Sequence, residues 1–207
     1  MPSIYQLKPA FQNLLRPLVR QLHRVGVTAN QVTLAAAGLS VLLGLVLAGN
    51  AAQRSLFLLV PLWMFLRMAL NAIDGMLARE FGQQSRLGAY LNELSDVVAD
   101  AALYLPFALL PGVAGSWGAA AVVIVVVLGI VSEMAGALGL MVGARRRYDG
   151  PMGKSDRAFI FGLLALLYAL GWWQPGWQAA LMALVAALLV WTIVNRVRQG
   201  LAESSAG

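Results

Sequence analysis

Asn71 and Asp74 stand three residues apart, and Asn92, Asp96 and Asp100 follow at intervals of four, in a chain that otherwise reads as greasy helix. At those spacings each set lies along one helix face. Oxygen donors with no histidine or cysteine among them suit a hard divalent cation, Mg²⁺ or Mn²⁺. A charged group inside a membrane costs at least about 2.5–3.5 kcal/mol on insertion scales, so the three aspartates require a purpose. The linker between the two sets is short and polar, which predicts antiparallel neighbours whose polar faces meet in one cavity. Gly75, Ala78 and Gly88 lie around the same faces. Small residues there permit close approach, either of packed helices or of a ligand over a pocket floor.

The elements that carry these residues belong in lipid. Of the 207 residues 60% are hydrophobic and only 12% charged, and the mean hydropathy is +0.74. Soluble domains are about 45–50% apolar and about 25% charged. The absence of cysteine excludes disulfides, a thiol nucleophile and thiolate metal sites. One histidine, His23, excludes histidine-rich metal ligation. A net charge of +6 would fit nucleic-acid binding in a soluble protein. Here the basic residues flank apolar runs, so they read as contacts to anionic lipid and as determinants of topology, with no nucleic acid as partner. No removable signal peptide is expected.

Six segments approach the roughly 20 apolar residues that span a bilayer: 32–48, 55–78, 88–110, 117–142, 158–173 and 177–194. Their connections alternate in charge. Lys8, Arg16, Arg20 and Arg24 precede the first span, Arg79 and Arg86 join the second to the third, Arg145–Arg147, Lys154 and Arg157 join the fourth to the fifth, and Arg196 and Arg198 lie at the end. The opposite side carries only Arg54. This asymmetry predicts both termini in the cytoplasm, with Trp172, Trp173 and Trp177 as an aromatic belt on the far side. Before the first span, Leu7, Phe11, Leu14, Leu15, Leu18, Leu22 and Val25 recur at helical spacing, with Arg16, Arg20 and Arg24 along another part of the helix. Residues 1–27 therefore read as an amphipathic interfacial helix, apolar side in lipid. Thr28 or Asn30 is the expected N-cap of the first span. The expected organisation is an all-α membrane protein: six transmembrane helices over 28–200 after the interfacial helix, with a disordered tail at 201–207.

The stretch "NAIDGMLAR", then "EFGQQSRL", then "GAYLNELSD" resembles the motif of the CDP-alcohol phosphotransferase (CDP-alcohol phosphatidyltransferase) family. That motif reads D-x-x-D-G-x-x-A-R, a spacer, then G-x-x-x-D-x-x-x-D. Asp74 and Asp96 match its second and fourth aspartates, and Gly75, Ala78, Arg79 and Gly88 match its other fixed positions. "TANQVT" is similar to a T-P-N segment found before the family's first span, with Ala29 in place of proline. The resemblance implies transfer of a substituted phosphate from a CDP-linked lipid to a hydroxyl, with release of CMP. It implies divalent ions gripping the pyrophosphate, with Asp74 a ligand, Asp96 a ligand or the catalytic base, and Gly75, Ala78, Arg79 and Gly88 around the CDP moiety. It also implies a membrane-surface site with CDP-diacylglycerol and a polar hydroxyl acceptor as partners, at the bacterial inner membrane. Family members are commonly dimers, so a homodimer is expected.

Asn71 and Asn92 stand where the motif has its first and third aspartates. An amide oxygen ligates but brings no charge. Three readings compete: the amides still ligate alongside substrate phosphates; Asp100 or Glu93 joins the ligand set; or the site has lost catalysis and the protein only binds CDP-lipid. A small transporter using the buried charges is the remaining alternative. Arg67, one turn below Asn71, calls for a buried partner, and Glu133 in the fourth span is the expected one. Ser155 or Asp156 is expected to cap the fifth span, placing Lys154 and Arg157 at the pocket rim beside a helix N-terminus that favours anions. Those two point to a phosphorylated acceptor such as glycerol phosphate or inositol phosphate, or else serve topology alone.

Overall fold

A computed structural model describes residues 4–204, with side chains from residue 9 onward. Seven α-helices account for the described chain, with no strand among the described residues: α1 (Ile4–Arg24), α2 (Ala29–Gly49), α3 (Leu59–Glu80), α4 (Arg86–Tyr104), α5 (Trp117–Leu138), α6 (Lys154–Ala169) and α7 (Pro175–Ser204). Short 3₁₀ turns extend α3 backward over Arg54–Leu58 and α4 forward over Leu105–Leu109.

Four helices are long and apolar enough to cross a membrane: Ala29–Gly49, Arg54–Glu80, Trp117–Val142 and Pro175–Ser204. α4 carries Arg86, Glu93, Asp96 and Asp100, and α6 has only 16 residues, about 24 Å of rise. Both bring buried charge into the bundle, Asp100 from α4 and Arg157 from α6, to meet Arg67 of α3, Glu133 of α5 and Arg196 of α7. The outward faces are apolar: Leu39, Leu42 and Leu45 on α2, Leu62 and Phe65 on α3, and Val190 and Trp191 on α7 are exposed. In water such faces would be a liability, whereas lipid is their natural solvent.

Capping sets the starts of the helices. Thr28 is the N-cap of α2, its hydroxyl accepting from the Gln31 amide while the Gln31 side chain accepts from Thr28 N, a complete capping box. Ser85 accepts from Gly88 N to start α4. For α6 the N-cap is Gly153, not Ser155 or Asp156. Asp156 instead reaches back to accept from Gly153 N at 2.9 Å.

The structure departs from the expectation that the second and third spans pair directly. α2 packs along both α3 and α4 and stands between them, whereas α3 and α4 scarcely approach each other. Gly44 permits the α2–α4 crossing, since a Cβ there would lie 2.2 Å from the carbonyl oxygen of Ala102. The resulting gap between α3 and α4 is filled by side chains and by cavities. On its other side α3 packs on α6, and α5 packs along α7.

One turn beyond the buried Asp100 and Arg157 lies an aromatic layer. Tyr104 and Phe161 stack with centroids 4.0 Å apart, and Phe107, Phe57 and Tyr168 continue the cluster edge to face. Trp173 packs on Tyr168, while Trp172 and Trp177 are exposed. α1 does not give its whole apolar side to lipid. Val19 is fully buried in a cluster with Ile73, Met76 and Leu77 of α3, while Leu14 and Leu18 remain exposed. Arg16 pairs with Glu80 at the same junction. Leu7, expected on the apolar face, has a side chain outside those described.

The tail is also more ordered than expected. α7 runs to Ser204 because Glu203 accepts from both Arg145 and Arg147 of the α5–α6 connection; residues 205–207 lie outside the described chain. Hydrogen bonding from Arg147 also holds the Asp149 carboxyl below the usual carboxylate range.

Candidate active site

Three cavities share lining residues: one among α2, α3 and α4, one among α4, α5, α7 and the start of α6, and one between α3 and α6. The first, about 620 Å³, is lined by Asn30, Thr33, Asp74, Gly75, Ala78, Arg79, Gly88 and Asn92 among others. It gathers every residue expected around the CDP moiety. Arg79 makes no ion pair among the described residues; its guanidinium lies over Gly75, where a Cβ would come within 2.8 Å of it. Gly88 lies against the Asn30 side-chain oxygen, which a Cβ would meet at 2.8 Å and push aside. Asp74 is buried and its Oδ2 accepts from the Thr33 hydroxyl at 2.7 Å.

The second cavity, about 340 Å³, is polar and is lined by Asn92, Glu93, Asp96, Glu133, Arg146, Lys154 and Arg196. The third, about 550 Å³, is an apolar groove between α3 and α6, lined by Met64, Phe65, Phe159, Gly162 and Leu163, with Arg67, Asn71 and Lys154 at its polar end. Asn92 borders the first and second cavities, and Lys154 borders the second and third.

A single ion-pair network runs through these walls. Lys154 pairs with Asp96 Oδ1, and Arg67 Nη2 reaches the same oxygen at 3.2 Å. Arg67 Nη1 binds Asp100 Oδ1 at 2.5 Å, and Arg157 binds Asp100 Oδ2 at 3.2 Å and Glu133 at 3.1 Å. Glu133 also receives Arg146 at 3.1 Å and Arg196 at 3.4 Å, and Arg146 forks onto Glu93. Five cations (Arg67, Arg146, Lys154, Arg157, Arg196) thus face four carboxylates (Glu93, Asp96, Asp100, Glu133), leaving one positive charge over. Asp74 makes no ion pair among the described residues, although Asp96 and Lys154 are near enough to act on it electrostatically.

This network corrects one expected pairing. Arg67 does not meet Glu133; it turns toward α4, across the gap that α2 holds open, while Glu133 is satisfied by three other arginines. Arg157, expected at the rim, is 2% exposed and committed to Asp100, Glu133 and Ser132. Asp100 is held by two arginines rather than facing a cavity shared with Asp74. Thr33, Arg146 and Arg196 are the site residues not singled out from sequence. Arg196 stands beside Asn195 and Arg198 at the polar end of α7, where the sequence reads it as one more topology-setting charge.

Residues 26–191 match the protein family described as CDP-alcohol phosphatidyltransferase. The chain belongs to that family. This phosphatidyltransferase is 50% identical over 205 residues to the inner membrane protein YnbA of Escherichia coli, covering 98% of each chain. It is 33% identical over 104 residues to the phosphatidylinositol phosphate synthase of Corynebacterium glutamicum, covering 50% of this chain and 45% of that one. Its fold matches the phosphatidylinositol phosphate synthase of Mycobacterium tuberculosis in complex with manganese and citrate, with a TM-score of 0.71 at 23% identity over 89% of this chain and 87% of that one. It also matches that protein with CDP-DAG bound, with a TM-score of 0.69 at 23% identity over 89% and 92% of the two chains.

The residues expected to ligate, Asn71, Asp74, Asn92 and Asp96, would offer oxygen donors of the kind a divalent cation takes, but they are spread over three cavities. The set is sparing in charge. Among the described residues no group of three or more acidic, histidine or cysteine side chains is placed to hold a metal.

Proposed function

We propose that this enzyme transfers the phosphatidyl group of CDP-diacylglycerol to a hydroxyl of a phosphorylated polyol, such as glycerol phosphate or inositol phosphate, and releases CMP. The observation that carries this reading is the junction of three cavities of different chemistry at the motif residues. The cavity with Gly75, Ala78, Arg79, Gly88 and Asp74 suits a nucleotide diphosphate, with glycines giving backbone access and Arg79 positive charge. The apolar groove between α3 and α6 suits the acyl chains, which enter sideways from the bilayer. The polar cavity has Arg146, Lys154 and Arg196 in its wall among four carboxylates, and these three cationic donors are the groups that a small anion would engage.

In the transfer, the acceptor oxygen bonds to the phosphorus that bears diacylglycerol, and the bond from that phosphorus to the CMP oxygen breaks. Asp96 takes the hydroxyl proton, and CMP leaves with the electron pair. A divalent ion, Mg²⁺ or Mn²⁺, when bound through the motif oxygens, supplies positive charge for the pyrophosphate and the leaving group. Arg146, Lys154 and Arg196 fix the acceptor phosphate. Arg157 and Asp100 brace that wall from behind, which removes Asp100 from the metal ligands and Arg157 from direct contact with the acceptor. Asn71 and Asn92 contribute neutral oxygens.

We place the chain in the inner membrane as six spans, with α4 and α6 completing the four apolar helices, both termini cytoplasmic and α1 along the interface. The homodimer implied by the family remains part of this proposal. The test is purified full-length protein in mixed micelles with CDP-diacylglycerol, Mg²⁺ or Mn²⁺, and alcohols with and without a phosphate. CMP and a new phospholipid are expected with the phosphorylated acceptors. Failure of every acceptor to release CMP, in the natural chain and in Asn71→Asp plus Asn92→Asp, would overturn the proposal.

A further inference from the structure

The segment that delivers Arg146 to the polar cavity is a strap between α5 and α6. Residues 145–149 form no helix or turn, and their side chains alternate as in a strand. Arg146 and Tyr148 line the polar cavity, the guanidinium 4.4 Å from the ring centroid. Arg145 and Arg147 turn the other way, to the end of α7. There Arg145 Nε donates to Glu203 Oε1 at 2.8 Å and Arg147 Nη1 to Glu203 Oε2 at 2.5 Å. Arg147 also forks onto Asp149, at 2.8 and 3.0 Å. The backbone of the strap lies tight on the bundle. Arg147 N donates to Gly136 O, and a Cβ on Gly136 would stand 2.6 Å from Arg147 O. Gly150, at φ +123°, lies against Thr192, whose hydroxyl accepts from Met152 N at 3.0 Å.

We infer that Glu203 is a positioning residue for the acceptor: by clamping Arg145 and Arg147 behind the strap, it holds Arg146 in place at the polar cavity. Glu203 lines none of the three cavities, so it acts through the strap. Two carboxylates pull on Arg146 from inside, Glu93 on Nε and Nη2 and Glu133 on Nη2. Its Nη1 and the Nε of Arg196 are buried without a hydrogen-bond partner among the described residues, so each keeps a donor for an anion. A strap free to move would let Glu93 and Glu133 alone set the guanidinium, and they compete with an anionic ligand for it. Glu203 opposes that pull from both neighbouring positions at once. Arg145, whose side chain is 90% exposed, has Glu203 as its one ion-pair partner among the described residues. This inference rests on the acceptor occupying the polar cavity, as proposed above.

The test compares the natural chain with Glu203→Gln, both full-length and in the same detergent. Binding of glycerol phosphate alone is read by calorimetry, kcat and KM for both substrates by CMP release, and mobility of residues 144–153 by hydrogen exchange. Glu203→Gln should weaken glycerol phosphate binding and raise its KM by about fivefold, while kcat and the KM for CDP-diacylglycerol stay within about twofold. The strap amides should exchange faster. Glu203→Asp should recover most of the affinity. In the Arg145→Gln, Arg147→Gln background, Glu203→Gln should add no further loss. Glycerol phosphate binding that is absent from the natural chain or unchanged in Glu203→Gln, an equal rise in both KM values, or a further loss in the arginine-free background would overturn the inference. If Glu203→Gln fails to fold, Arg145→Gln, which leaves Arg147 on Asp149, takes its place with the same split expected. Weakened binding with no CMP release from any variant defeats the proposed function alone. CMP release that Glu203→Gln leaves unaltered, with unaltered binding, defeats this inference alone.

Discussion

The Thr33 hydroxyl donates to Asp74 Oδ2 at 2.7 Å, so the one motif carboxylate without an ion pair among the described residues is aimed by a side chain from another helix. The Ala29 carbonyl oxygen lies 3.1 Å from the same hydroxyl, one turn back on α2, and competes for its single proton at the longer distance. Thr33→Val keeps the shape and removes the donor. A hydrogen bond to a charged group contributes about 1.5–3 kcal/mol, so Mn²⁺ affinity and CMP release should each fall by roughly tenfold or more. Thr33→Ser should restore most of the loss. Mn²⁺ titration and CMP release measure this directly.

Arg67→Met should act chiefly on stability. It leaves Asp100 with Arg157 alone and takes one cation from Asp96, and removing one partner of a buried pair costs about 3–5 kcal/mol. The double variant Arg67→Met, Asp100→Asn should lose less than the two single variants summed, because neither group is then buried unpaired. Thermal denaturation in a fixed detergent reads both.

Arg146→Ala and Lys154→Ala should separate binding from chemistry. Arg146 is held by Glu93 and Glu133 and reaches only the polar cavity. Its loss should raise KM for a phosphorylated acceptor with a smaller change in kcat. Lys154→Ala should alter both, since Lys154 also borders the groove and contacts Asp96. Steady-state kinetics with varied acceptor and saturating CDP-diacylglycerol distinguish them.

Gly44→Ala tests the helix arrangement. A methyl group 2.2 Å from a backbone oxygen must force α2 and α4 apart, and overpacking of this kind costs about 1–3 kcal/mol. A lowered melting temperature is expected, while Gly38→Ala, which meets nothing within 4 Å on the same helix, should be nearly silent.

What the sequence revealed follows from what is local. Periodicity located the helices, and spacing put Asp74, Gly75, Ala78, Gly88 and Asn92 on faces that do border one cavity, with Arg79 added by the family motif, whereas Asn71 and Asp96, expected in the same cavity, line two others. Thr28 with Gln31 is legible as a cap for the same reason. The ion pairs are not local. Arg146 and Glu93 are 53 positions apart, and Arg67 meets Asp100, 33 positions on, across the gap that α2 leaves between α3 and α4. Burial of Arg157 depends on α5 and α4 converging behind α6, which no spacing within "GKSDRAF" encodes. Whether a cation beside a pocket serves the ligand or the wall is decided by its neighbours in space.

Asp100 and Tyr104 are one turn apart on α4, as Arg157 and Phe161 are on α6, so the stacked rings lie directly beneath the deepest charges. Water-filled hollows that reach well into a bilayer risk short-circuiting the proton gradient across it. Here the rings of Tyr104, Phe161, Phe107 and Phe57 make an insulating plug that closes the hydrated half from the other side. In the proposed orientation, polar substrates would reach the buried charges from the cytoplasmic side while the membrane keeps its voltage, which a conduit for solutes could not do with the same floor.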